Sequence, residues 1–343
     1  MNLLVRAPTR IDFAGGWSDV PLFAESEDGA VVNAAIDRTV TVECRPGGKA
    51  FRFHATDLLE HVTVKELHDL VYDGKLDLHK AAVNMLPMPG GVELISNSDV
   101  PVGSGLGASG ALDVALIHAL SVARNEKFDR EDVAENAFQL ETAVLGLVGG
   151  RQDQYAAAFG GFRAYFFGRR GVDSIEEIDV DMDRARDLRQ HMVLAYTGQS
   201  HFSSRTHERV WRAYSDGNEA VVNAIRGMRD LVPDVVASLK QADWKNLASL
   251  VQENWNLQKA LDPTISTGRS EELEASVVAA GAWGVKATGA GAGGCMIVLC
   301  PAEQREDIEG VVKEIGGEVL DFQFDLAGVT HEILENDAAF DSG

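Results

Sequence analysis

Little in this chain of 343 residues points to a membrane, an oxidising compartment or a polyanion. It has three cysteines, Cys44, Cys295 and Cys300, an odd number with no metal-ligand spacing. Neither a disulfide framework nor a zinc site is expected, and buried reduced thiols are. Cys295 and Cys300 stand five apart in one strand-like run, hence on opposite faces. No apolar run approaches the ~18 residues of a membrane span. The opening Met1-Asn-Leu-Leu-Val-Arg6 meets a charge too early for a secretory signal, so a cytoplasmic protein is expected. There is no internal repeat and no low-complexity linker.

Positive charge is also short. Lys and Arg number 31 against 53 Asp and Glu, a net charge of −22. That excess disfavours nucleic acid and anionic membranes as partners. It also makes any local basic group near a binding site more telling, because an anionic ligand must be held against the overall field. With 45% hydrophobic and 24% charged residues the composition is that of a soluble globular protein. The length suits two domains or one bilobal unit of a monomer or homodimer.

Glycine is what the chain has in quantity, 34 residues, and the most informative of them lie in Pro101-Val-Gly-Ser-Gly-Leu-Gly-Ala-Ser-Gly-Ala111. A strand-like segment (92–99) leads in, and an apolar-periodic helix follows (Leu112, Val114, Ala115, Ile117, Ala119, Leu120). Such a turn offers backbone N–H groups and the positive end of a helix to an anion, which makes Gly103, Ser104, Gly105, Leu106, Gly107, Ala108, Ser109 and Gly110 a candidate nucleotide-phosphate site. Gly105-Leu-Gly107-Ala-Ser-Gly110 formally fits the dinucleotide pattern. However, a second helix (129–141) follows where a βαβ unit needs a strand. A Walker A loop is excluded because Ala111 stands where Lys is required.

Two further segments share this chemistry: Arg6-Ala-Pro-Thr-Arg-Ile-Asp-Phe-Ala-Gly-Gly-Trp-Ser-Asp19, and Lys286-Ala-Thr-Gly-Ala-Gly-Ala-Gly-Gly294 running into the strand 295–300. Three such segments in this order resemble the GHMP kinases, whose central motif reads Pro-x-x-x-Gly-Leu-Gly-Ser-Ser-Ala. Here Ala108 replaces the first Ser and Gly110 the Ala. Gly15-Gly-Trp-Ser-Asp19 resembles the form in heptose-7-phosphate kinases and fucokinases, its Trp17 being more fucokinase-like. Gly150-Arg-Gln-Asp-Gln-Tyr155 looks more like the heptokinase form.

The resemblance implies an α+β, two-lobed GHMP kinase fold. An N-terminal lobe like ribosomal protein S5 domain 2 would span 1–170. A ferredoxin-like C-terminal lobe would span 190–335, with the active site between the two. The charged stretch 171–190 reads as the boundary. Helical periodicity marks 205–230, 233–260 and 270–281.

Phosphoryl transfer needs neutralised phosphates, a positioned metal and an oriented acceptor hydroxyl. Ser109 and Glu141 are hard oxygen groups suited to Mg²⁺, though Glu141 also reads as one more surface charge beside Glu131 and Glu135. Asp153, an acid in an otherwise uncharged run, matches the family's catalytic aspartate. Arg10 would pair with it or with the transferring phosphate. Asp19, Gly16, Trp17 and Ser18 would line the sugar site. Gly289 and Gly291 would bring backbone to the phosphates or to the Arg10–Asp153 pair, with Lys286 read as a strand-end cation. For a sugar phosphate the second anion anchor would be Arg151, with Arg38, His79 and Lys80 as other candidates. Thr197, Gly198, Ser203, Ser204 and Arg205 could line the acceptor pocket. His201 and His207 read as ordinary polar residues. The expected reaction is ATP- and Mg²⁺-dependent phosphorylation of a sugar, a heptose 7-phosphate at its anomeric hydroxyl, with a neutral sugar such as fucose as the alternative.

Overall fold

The structure, a computed structural model, describes residues 1–198 and 204–335, the side chains of 204 and 205 excepted. Among the described residues twelve strands follow in chain order: β1 (Asn2–Ala14), β2 (Gly29–Pro46), β3 (Phe51–Ala55), β4 (Glu60–Val64), β5 (Val92–Ser98), β6 (Phe162–Gly168), β7 (Gly171–Glu177), β8 (Met192–Tyr196), β9 (Gly284–Ala287), β10 (Cys295–Leu299), β11 (Glu318–Leu320) and β12 (Thr330–Leu334). The helices are α1 (Pro21–Glu27), α2 (Asp77–Met85), α3 (Ala108–Ala123), α4 (Arg130–Gln139), α5 (Gln152–Phe159), α6 (Met182–Gln190), α7 (Ser204–Ser215), α8 (Glu219–Asp230), α9 (Val232–Gln241), α10 (Trp244–Lys259), α11 (Gly268–Ala279) and α12 (Arg305–Glu314).

Two sheets result. The first runs β12-β1-β2-β5-β3-β4, with β6 also on β2 and β7 on β6. β2 serves two neighbours: residues 29–34 pair with β6 and 40–46 with β5. Its sequence explains this. The first half, apolar but for Asn33, is buried throughout, whereas the second alternates, burying Val40, Val42 and Cys44. The second sheet runs β11-β8-β10-β9, all antiparallel, in the chain sequence strand, helices, strand, strand, helix, strand. That is the expected ferredoxin-like lobe.

The structure differs from the sequence reading in four places. The stretch 171–190 is not a linker: β7 continues the first sheet from β6, and α6 follows. An edge strand pairs through its backbone, which the outward charges of Asp173, Glu176 and Glu177 do not oppose. The last strand, β12, leaves the second lobe and pairs with β1. The periodic stretch 205–230 is two helices, parted at Gly217 (φ +74°) and restarted by Asn218, whose side chain accepts from Ala220 and Val221 N–H. The stretch 233–260 is likewise two, with Asp243 capping α10 through Asn246 N–H.

One apolar cluster joins the lobes. It gathers Ile11, Phe13, Val32 and Ile36 of the first sheet, Leu194, Ile297 and Leu299 of the second, and Val235, Leu239 and Leu247 of the covering helices. Cys44, Cys295 and Cys300 are buried free thiols, and Cys295 and Cys300 fall in different clusters, as opposite strand faces require. Among the described residues no helix is long and apolar enough to cross a membrane.

Candidate active site

The phosphate-type loop lies between β5 and α3. Gly103, Gly105 and Gly107 all take positive φ, and Leu106 anchors the loop in the core. No side chain caps α3, whereas Asp129 caps α4 through a reciprocal bond with Asp132. The first N–H groups of α3 are therefore left for an anion.

The three glycine-bearing segments meet here. Arg10 N–H donates to Leu106 O at 2.9 Å, and Cys295 N–H to Ser104 O at 2.7 Å. The buried Arg10 guanidinium donates to Gly105 O through Nη1 (2.6 Å) and to Asp153 Oδ1 through Nε (2.8 Å), with Nη2 at 2.7 Å from the same oxygen. Burial alone would lower the Arg10 pKa, but the Asp153 and Asp12 carboxylates outweigh it and raise it. Asp153 stands in the first turn of α5 with part of its side chain open to solvent.

Gly110, where the family motif has Ala, explains its own departure. A Cβ there would lie 2.6 Å from the Asp153 Cβ. The missing methyl lets α5 press against α3 and brings Asp153 to the loop.

Glu141 lies in a π-helical turn, 140–144, that continues α4. Its Oε1 accepts from Ser109 Oγ at 2.7 Å and its Oε2 from Gln154 Nε2 at 2.8 Å. Burial raises its pKa, and the Ser109 and Gln154 bonds partly offset this. The surface-charge reading therefore fails, since the widened turn points Glu141 inward. Ser109 and Glu141 present two hard oxygens side by side, a donor set that fits Mg²⁺ with its few protein ligands. Among the described residues there is no cluster of three or more His, Cys, Asp or Glu suited to a metal.

Asp19 is buried, and its Oδ2 accepts the Gln152 N–H at 3.0 Å, at the start of α5. Gly150 makes room: a Cβ there would meet that oxygen at 1.9 Å. Burial lifts the Asp19 pKa to about 6, the Gln152 bond restraining the shift and nearby Asp153 adding to it.

Other expected site residues turn elsewhere. The Ser18 hydroxyl is enclosed by Gly15 O, Ala30 O and Ala30 N at 2.7–3.0 Å, so it staples the turn to β2. Trp17 takes φ +76° and stacks on His207 at 4.5 Å beside Trp211, inside the second lobe's core. His207 is thus a packing partner, and burial drops its pKa to about 4. Arg151 pairs with Glu135 at 3.1 Å and lies over the Phe138 ring at 3.9 Å, so it is not a free anion anchor. Lys80 is clasped by Val71 O, Asp73 and Asp77, and His79 bonds Ser96. Arg38 donates to Asp321 O beside a cavity of about 390 Å³ that also touches Asp57, Ser98, Pro101 and Val102. Gly289 packs on Gly105, but Gly291 packs on Ile265. Gly16 lies beside Asp12 and Gln152. Gly198 lies near Gly316, and Thr197 bonds Gly294 O. His201 and Ser203, with the side chains of Ser204 and Arg205, lie outside the described residues.

The sequence misleads at one residue and hides another. Lys286 is not a strand-end cation but is wholly buried against Asp12. Asp12 itself was passed over, although its place two residues after Arg10 puts both on one face of β1.

A two-lobed fold with an uncapped helix N-terminus in a glycine loop, and an Arg–Asp pair at its mouth, defines a small-molecule kinase. More narrowly, the chain belongs to the GHMP kinases: the family model of the N terminal domain matches residues 70–161 and that of the C terminal domain 235–317. It is 29% identical over 335 residues to the D-glycero-alpha-D-manno-heptose 7-phosphate kinase of Campylobacter jejuni, covering 96% of this chain and 98% of that protein. It is 31% identical over 337 residues to the mevalonate kinase of Thermococcus sibiricus, covering 92% and 94%. Among solved structures, a D-glycero-D-manno-heptose 1-phosphate kinase from Bacteroides thetaiotaomicron superposes with a TM-score of 0.81 at 23% identity, over 97% of this chain and all of that one, which speaks for the fold.

Proposed function

We propose that the protein is an ATP-dependent sugar kinase that phosphorylates the anomeric hydroxyl of a heptose 7-phosphate. The observation that carries the kinase reading is the Arg10–Asp153 contact at 2.7–2.8 Å beside the open N-terminus of α3. In this reading the α3 N–H groups hold the nucleotide phosphates and the cavity by Pro101 and Val102 receives the nucleoside. The acceptor hydroxyl oxygen bonds the γ-phosphorus as the bond to the ADP oxygen breaks. Asp153 orients that hydroxyl and takes its proton. Arg10 fixes the Asp153 carboxylate in place and offsets negative charge on the transferring group. Ser109 and Glu141 are the residues that would hold Mg²⁺, which when bound neutralises phosphate charge. Asp19 would accept a sugar hydroxyl.

Likeness to the Campylobacter heptose 7-phosphate kinase along nearly the whole chain supports the heptose acceptor, as does the 150–155 segment. A neutral-sugar 1-kinase is the second reading, favoured by the engagement of Arg151 with Glu135. The chain is also 25% identical over 333 residues to the bifunctional fucokinase/GDP-fucose pyrophosphorylase of Arabidopsis thaliana, covering 90% of this chain and 31% of that protein.

The test is ATP consumption with Mg²⁺ across heptose 7-phosphates, neutral sugars and mevalonate, with Asp153→Asn alongside. Turnover of a heptose 7-phosphate, reduced about a hundredfold or more in the variant, is expected. Turnover of fucose or another neutral sugar alone overturns the acceptor, and of mevalonate alone the sugar reading.

A further inference from the structure

We propose that Asp12 and Lys286 are a positioning pair that sets Arg10 and the 288–294 loop in register for phosphoryl transfer; this rests on the kinase reading above. Lys286, on β9, has no solvent exposure. Its ammonium has three donors and three acceptors around it: Asp12 Oδ2 at 2.5 Å, Ala287 O at 3.0 Å and Asp12 O at 3.3 Å. The contact crosses from the second sheet to β1 of the first.

The other Asp12 oxygen does the positioning. Oδ1 accepts the Gly289 N–H at 3.0 Å and lies 3.8 Å from Arg10 Nη1. Gly289 packs so tightly on Gly105 that a Cβ would stand 2.8 Å from the Gly105 carbonyl oxygen. That same carbonyl accepts from Arg10 Nη1. Arg10, Asp12, Gly289 and Gly105 thus form a closed ring, with Asp153 bonded outside it and Lys286 behind it. A shift of Asp12 moves both the guanidinium that faces Asp153 and the backbone that backs the phosphate loop.

Stability does not account for this arrangement. Burial pulls the Lys286 pKa below its usual value, and Asp12 offsets only part of that. A fully buried ion pair is often replaceable as a unit by apolar side chains at no loss of stability, while removing one partner is strongly destabilising.

The experiment compares Lys286→Met, the double variant Asp12→Leu/Lys286→Met, and Asp12→Asn in the full chain, reading melting temperature, kcat, KM and ATP affinity. The single Lys286→Met should melt low. The double should recover the melting temperature while kcat stays down about tenfold or more and the sugar KM stays within about twofold. ATP should bind the double more weakly by about threefold or more, because the loop behind Gly105 loosens. Recovery of kcat along with melting temperature overturns the proposal. If the double does not fold, Asp12→Asn decides, assayed well below its melting temperature: kcat down about tenfold supports the proposal, and wild-type kcat overturns it. If the wild type turns over no acceptor, the kinase reading fails separately, and unchanged ATP affinity in the variants then overturns the pair's role.

Discussion

Replacing Asp19 by Asn should make this protein more stable at neutral and alkaline pH, although it removes a carboxylate from the proposed sugar site. Burial lifts the Asp19 pKa from 3.8 to about 6. An acid raised in this way contributes its full stability below the unfolded value and loses it as pH rises through the folded one. The span of about 2.2 units converts to about 3 kcal/mol lost between pH 4 and pH 7. Asparagine carries no charge at any of these pH values, and its Oδ1 can still accept the Gln152 N–H that Asp19 now accepts at 3.0 Å. The variant should therefore match the wild type only below about pH 3.5, and lead it by about 1 kcal/mol at pH 4.5 and about 3 kcal/mol at pH 8. With an unfolding entropy of about 2.1 cal/mol/K per residue, that is about 4 °C in melting temperature for a chain this long. Urea unfolding of both proteins at pH 4.5, 6 and 8 measures the difference directly. A difference that is flat with pH, or an Asp19→Asn variant that is weaker than the wild type at pH 8, refutes the buried-charge argument. Turnover should fall at every pH, because the carboxylate proposed to hold the acceptor is gone.

Three further outcomes are expected. Gly110→Ala forces a methyl against the Asp153 Cβ, so it should cost about 1–3 kcal/mol of stability and lower kcat together, read by melting and turnover. Either quantity unchanged would mean α5 has slack that the packing denies. Glu141→Gln should raise the Mg²⁺ needed for half-maximal rate about tenfold at fixed ATP, and an unaltered Mg²⁺ titration removes Glu141 from that role. Arg151→Met should leave the acceptor KM within about twofold while costing about 1 kcal/mol through the lost Glu135 pair and Phe138 contact. A large rise in KM for a sugar phosphate alone would restore Arg151 as an anchor.

The readable parts of the sequence were those where local chemistry and tertiary role coincide. The loop at 101–110 announced itself because glycines, a preceding strand and a following apolar helix are all contiguous, and the second sheet was legible as strand and helix alternation. The hidden parts depend on partners far along the chain. Lys286 looks like any strand-end cation until Asp12, 274 residues away, is seen against it. Arg151 adjoins Asp153 in sequence, yet its side chain is drawn to Glu135 and Phe138 on α4. Glu141 sits in a helical run crowded with acids, and only the extra residue of the π-turn tells it apart from Glu131 and Glu135. The helix breaks at Gly217 and Ala242 were missed for a different reason. Apolar periodicity continues across each break, because both halves face the same core, so the period is preserved while the hydrogen-bond ladder is not.

The return of β12 to β1 bears on how the protein is made. Asn2 pairs with Leu334, so β1 waits for a strand that lies 332 residues further along the chain to cover its outer edge. Until β12 is made, the eight-stranded sheet carries an open rim, the kind of template that recruits a neighbouring nascent chain. The second lobe, whose four strands all lie between residues 192 and 320, can close while that rim is still bare. The two lobes are therefore not a pair of modules to be cut apart and expressed singly. A chain stopped after β11 would hold every residue of the proposed active site and still present an unsealed sheet to its surroundings.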